Sequence, residues 1–156
     1  MATLSEEVDV LRRIPLFAAI DPAKLKLLAF ASDRMVYGDG QAVVKQGEVG
    51  DAAYVVVKGK ADIVVETDKE DLVVAQVGEN AVIGEIAILC DVPRTATVRA
   101  KGELVALKIK KEHFLGLVSD FPKLGIQIMR ELALRLSATT AELTETRREL
   151  DSLKAG

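Results

Sequence analysis

The sequence predicts an α+β fold, a β-barrel or sandwich of short strands held between helical ends. Three observations carry that reading. Eight of the 11 glycines fall between Gly38 and Gly102, where they separate valine- and isoleucine-rich runs spaced roughly ten residues apart. The flanking segments, 3–32 and 111–153, repeat apolar residues at helical spacing instead. Inside the strand region one run, GEIAILC (84–90), contains good helix formers and predicts a helical turn inserted between strands.

Taken in order, the N-terminal helix opens at a capping box, Thr3 with Glu6, and continues through Val8, Leu11 and Ile14. Pro15 breaks it. Asp21-Pro22 restarts a helix as cap and first-turn proline, and Leu25, Leu27, Leu28 and Phe30 give it a broad apolar side. The expected strands are QAVVKQ, AAYVVVK, ADIVVET, LVVAQV, ATVRA and ELVALKIK, all between residues 34 and 110. In the last of these, Val105, Leu107 and Ile109 alternate with Ala106, Lys108 and Lys110, as in a half-buried strand. Lys111 begins a short helix that ends near Asp120-Phe121-Pro122. From Pro122 to Leu153 no further proline interrupts a long final helix, and Gly125 is its only glycine.

Bulk properties narrow the function classes. A chain of 156 residues supports one domain, 1–156, with a real core, and a hydrophobic content of 49% argues against disorder. A net charge of −3 offers no general attraction to nucleic acid or to an anionic membrane. A single cysteine excludes an internal disulfide and a cysteine-held metal centre, and a single histidine, His113, excludes a histidine-cluster metalloenzyme. The N-terminus, MATLSEEVDV, lacks the bases and apolar run of a signal peptide, and no stretch reaches the ~18 apolar residues of a membrane span. The expectation is a soluble cytoplasmic protein without metal or catalytic residues. Cys90, with no base near it in sequence, reads as a small core residue.

The stretch VIGEIAILCDVPRTATVRA, 82–100, places a carboxylate, Glu85, and a guanidinium, Arg94, in mainly apolar surroundings. Burying either charge unpaired costs several kcal/mol, so each requires a partner. A glycine before a short helix lets backbone N–H groups approach an anion, and an arginine from the next loop can grip two phosphate oxygens with its planar fork. Glu85 would repel that phosphate and should meet a donor such as a sugar hydroxyl. A phosphate fused to a ribose satisfies both. The plainer alternative is a buried Glu85–Arg94 salt bridge, which would need neither the glycine nor the short helix.

At these residues the sequence resembles the cyclic nucleotide-binding domain family, most closely its catabolite activator protein branch. The resemblance rests on Gly84-Glu85-Ile86-Ala87-Ile88-Leu89, then Pro93-Arg94-Thr95-Ala96-Thr97, within a phosphate-binding cassette spanning 82–98. Upstream, Gln46-Gly47-Glu48 with Gly50-Asp51 and Tyr54 is similar to the family's loop between two barrel strands. Ile14-Pro15-Leu16-Phe17 is similar to its opening turn. Residues 8–150 are covered. The resemblance implies a β-barrel or jelly roll of about eight strands with flanking N-terminal helices, a short phosphate-binding helix and a long C-terminal helix. It implies that Gly84, Ile86, Ala87, Arg94, Thr95 and Ala96 bind the ligand around its phosphate, that Glu85 accepts the ribose 2′-hydroxyl, and that Asp51 orients Arg94. The ligand it implies is cyclic AMP, with cyclic GMP as the alternative because Thr95 could accept the guanine amino group. Val82-Ile83 stand where many relatives carry an aromatic residue, a change that should affect core fit and not chemistry.

Read in heptads, the last helix sets Met129, Leu132, Leu136, Thr139, Leu143, Thr146, Leu150 and Leu153 on one stripe, the seam of a parallel homodimer. Within it, Arg135 to Thr140 is similar to the branch's purine-reaching segment, which makes Thr139 and Thr140 the candidate base contacts, one from each subunit being an option. The helix has no tryptophan or tyrosine to stack on a base, so aliphatic and hydroxyl groups must meet it. The expected function is a non-catalytic sensor that relays occupancy through this helix to a downstream protein, binding neither nucleic acid nor membrane by this chain alone. The branch normally continues into a helix-turn-helix domain, so the alternative is the sensor half of a transcription regulator. Met1 and the finished helix favour the freestanding form.

Overall fold

The computed structural model describes residues 4–18 and 20–155. Thr3, the expected capping partner of Glu6, lies outside them. Helix α1 (Leu4–Arg13) gives way at Pro15 to a 3-10 turn (Pro15–Phe17), and α2 (Pro22–Ala31) follows. The Asp21 carboxylate accepts the Ala23 N–H at 3.1 Å, so the expected cap forms with Pro22 in the first turn. The strands are β1 (Asp33–Tyr37), β2 (Ala42–Val44), β3 (Ala52–Glu66), β4 (Asp71–Val77), β5 (Val82–Ile83) and β6 (Thr97–Lys110). Helix α3 (Glu85–Cys90) is inserted between β5 and β6, and α4 (Lys111–Asp120) and α5 (Pro122–Ala155) complete the chain.

Six strands stand where about eight were expected, and the sheet does not close into a barrel. It is antiparallel, ordered β1-β6-β3-β4, with β2 also pairing β6 and β5 also pairing β3. The difference arises at two glycines that bend strands instead of ending them. Runs AAYVVVK and ADIVVET join through Gly59 into the 15-residue β3, and ATVRA and ELVALKIK join through Gly102 into the 14-residue β6. Register shifts between Val56 and Lys60 record the bend. Gly59 has φ +95°, and a Cβ there would collide with the Glu103 carbonyl oxygen of the neighbouring strand.

The bent sheet divides the interior into two cores. Ala53, Val55, Leu107 and Ile109 face the helices, packing with Leu11, Phe17, Leu25, Phe114 and Ile128. Ala52, Tyr54, Val56, Leu104 and Ala106 face the concave side with Tyr37, Ala61 and Ile83. Ala106, expected on a solvated face, is therefore fully buried, because both faces of β6 are covered. Cys90, expected in the core, is exposed: on α3 the inward positions belong to Ala87 and Ile88, and Cys90 ends the helix on its outer side.

Candidate functional site

The cassette is built by backbone geometry first. Gly84 caps α3 in the left-handed region at φ 85°, and a Cβ there would collide with Arg94 Nη1. Residues 46–48 fix the loop that carries Arg94, between α3 and β6. The Gly47 N–H donates to the Arg94 carbonyl and the Arg94 N–H to the Glu48 carbonyl, each at 2.8 Å. The Gln46 side chain pairs both ways with the Glu66 backbone, at 2.8 and 3.2 Å, while its own N–H donates to Thr97 Oγ1 at 2.9 Å. Gln46 was legible as part of a motif; its clamping role was not, since the partner strand is 20 residues away.

Glu85 and Arg94 are both buried, at 6% and 5% exposure, and they do not pair with each other. Arg94 donates to the carbonyls of Gly84 (2.9 Å) and Ala52 (2.7 Å). Its carboxylate neighbour, Asp51, stands at 3.9 Å with a largely exposed side chain, beyond hydrogen-bond reach. Two carbonyls thus aim the guanidinium, and the one carboxylate in ion-pair range among the described residues, Asp51, is exposed and at the outer edge of that range. Glu85 accepts from Arg135 Nη1 of α5 at 3.0 Å. In sequence Arg135 stands out only as a neighbour of the threonines; its spacing from Glu85, 50 residues, leaves no local signal.

These groups border a cavity of about 800 Å³ between the concave sheet, α3 and α5. Gly84, Glu85, Ile86, Ala87, Arg94, Thr95 and Ala96 line one end. Leu72, Val73, Val74 and Ala75 of β4 line the other with Thr139, Glu142, Leu143 and Thr146 of α5. Asp51 lies behind Arg94, outside that lining. Thr139 takes part and Thr140 does not; its carbonyl instead accepts the Thr144 hydroxyl at 2.9 Å. Glu142, Leu143 and Thr146 were missed as cavity residues, as were Leu72, Val73 and Val74, which read only as strand residues. The Glu142 side chain makes no hydrogen bond or ion pair among the described residues. Among those residues no cluster of His, Cys, Asp and Glu could hold a metal ion.

The profile of the family described as "Cyclic nucleotide-binding domain" matches residues 34–121, more than half of the chain and all of the cassette. This chain belongs to the cyclic nucleotide-binding domain family. It is 33% identical over 121 residues to a cAMP-dependent protein kinase regulatory subunit of Blastocladiella emersonii, covering 75% of this chain and 30% of that protein. A CRP-like cAMP-activated global transcriptional regulator of Mycobacterium tuberculosis is 25% identical, with 88% of this chain and 62% of the regulator covered. The structure of Thermus thermophilus catabolite activator protein superposes with a TM-score of 0.72 at 27% identity, covering 83% of this chain and 61% of that one. The chain spans about a third of the length of the kinase regulatory subunits it matches. The catabolite activator protein branch read from the cassette is consistent with these relatives. No described helix is long and apolar enough to cross a membrane.

Proposed function

We propose that this chain is a non-catalytic cytoplasmic sensor, acting as one unit, that binds a 3′,5′-cyclic nucleotide in the α3–α5 cavity and prefers cyclic AMP. One observation carries the reading: Arg94 is buried at the cavity wall and oriented by two carbonyls, and its one charged partner among the described residues is the exposed Asp51 carboxylate at 3.9 Å, too far to hydrogen-bond it. Such a group calls for an anion, and a fork geometry favours paired phosphate oxygens. In this reading the backbone of Ile86 and Ala87 shares the phosphate with Arg94, Thr95 and Ala96. Glu85 keeps one oxygen for Arg135 and offers the other to the ribose 2′-hydroxyl. The base lies among Leu72, Val73, Val74 and Leu143, with Thr139 and the Glu142 carboxylate as polar partners. Asp51 acts at a distance on Arg94. Thr140 is left to reach the base of a second protomer, in a homodimer joined along α5. Ligand-free and ligand-bound forms differ in how α5 packs on the cassette, which is what a downstream protein partner reads.

The test is calorimetric titration with cyclic AMP and cyclic GMP. Arg94→Ala should weaken cyclic AMP binding by about 2–5 kcal/mol, because the buried phosphate loses its charged partner. Equal affinity of parent and variant would overturn the site. A second reading, cyclic GMP preference, draws on Thr95 and Glu142, since guanine offers a carboxylate both a ring N–H and an amino group, where adenine offers one amino group. Tighter cyclic GMP binding would select it.

A further inference from the structure

A second cavity, of about 480 Å³, lies between the Pro15–Phe17 turn and the α4–α5 corner, and shares no lining residue with the first. We propose that it is a binding site for a small monoanionic amphiphile, a carboxylic acid carried on an aliphatic or aryl body. Its floor is preformed. Leu16, Ile20 and Leu124 are buried parts of the helical core, so the wall they make exists without a ligand. The corner itself is pinned, with the Phe121 N–H donating to Leu117 and the Leu124 N–H to Phe121, both at 2.9 Å. Ile126, 51% exposed, adds apolar surface to the lining.

Charge sets the ligand class. Lys123 and Arg130, seven residues apart on α5, stand two turns apart on one face, and Gln127 lies between them. Neither cation makes a hydrogen bond or ion pair among the described residues. Asp120 lines the same cavity. Two cations and one carboxylate leave a single net positive charge beside an apolar floor. A monoanion complements that lining; a phosphate dianion would meet the Asp120 carboxylate without a second net charge to offset it.

The probe is decanoate at submicellar concentration, added to the full chain without cyclic nucleotide and followed by two-dimensional NMR. Saturable shifts at residues 14–20 and 120–130 are expected, with those at 72–75 and 139–146 unmoved. The double reversal Lys123→Glu, Arg130→Glu should weaken decanoate by about tenfold or more. Ile126→Glu should do the same, and since its side chain is half exposed it leaves the core intact. Uncharged decanol should bind about tenfold less tightly than decanoate if the ion pair contributes as argued. Shifts confined to 72–75 and 139–146, or decanol binding as tightly as decanoate, would overturn the proposal. The Arg94→Ala variant should bind decanoate normally, so failure of the nucleotide site and failure of this one are read separately.

Discussion

Arg94 can reach the cavity wall because residue 84 has no side chain. Gly84→Ala should place a methyl against Nη1 and force a positive φ on an L-residue, costing about 1–2 kcal/mol of stability from the backbone alone. Urea denaturation should show that loss, and calorimetry should show cyclic AMP affinity falling with it. Full retention of affinity would mean the guanidinium does not need this backbone. Tyr54, buried on the concave side of the sheet beside the cassette loop, has its phenol pKa pushed up to about 12, chiefly by burial and further by the neighbouring Tyr37 and Asp51. The folded value lies above the unfolded 10.0, so the contribution is complete below pH 10 and is lost as pH rises toward about 12. Denaturation midpoints should therefore fall across that interval, and Tyr54→Phe should flatten the fall; equal slopes would remove Tyr54 as the cause. The local signal of the cassette was legible at this scale, because glycine, carboxylate and arginine lie within 11 residues of chain. What Arg94 and Glu85 actually touch was not: Ala52 is 42 residues away and Arg135 is 50.

Among the elements, α5 carries the expected mechanism. Residues from Ala133 to Ala155 are exposed, and the ion pair that ties this outer half to the cassette among the described residues is Arg135–Glu85 at 3.0 Å. Because Thr139 lines the cavity and Thr140 does not, Thr139→Ala should weaken cyclic AMP binding by about 1–3 kcal/mol if a buried hydrogen bond is lost. Thr140→Ala should do so only in a dimer. Hydrogen exchange over residues 124–150 should slow on saturation with cyclic AMP, and Arg135→Ala should raise it in the free protein by releasing the helix. Unchanged exchange on saturation would leave a pocket that binds without relaying. The strands teach a different lesson. Helix ends were legible because Asp21-Pro22, Pro15 and Phe121-Pro122 act locally. Strand ends at Gly59 and Gly102 were not, because a glycine that allows a turn also allows a bulge, and the neighbouring strand selects between them.

At the scale of the whole molecule, the exposed stripe of α5 is the unfinished part. Leu136 is 68% exposed, Leu143 65% and Leu153 79%, on a helix half that packs on little else. An isolated helix of this kind is marginal in water, and a leucine stripe at heptad spacing is the surface that a second copy would bury. Leu143→Glu should convert a dimer to monomers in sedimentation velocity; a parent that already sediments as a monomer would sink the seam. The sequence by itself determined the helix–strand–helix order, the cassette and the heptad stripe, because each rests on residues within a few turns or one loop of each other. Only the tertiary structure decided that four of the six runs join into two long strands with β1 and β5 beside them, that two carbonyls hold Arg94 with Asp51 at the outer edge of ion-pair range, that Arg135 meets Glu85, and that the cavity extends to Glu142 and Thr146. Each of these depends on which distant backbone the folded sheet brings alongside, a matter of packing between segments that no local pattern encodes.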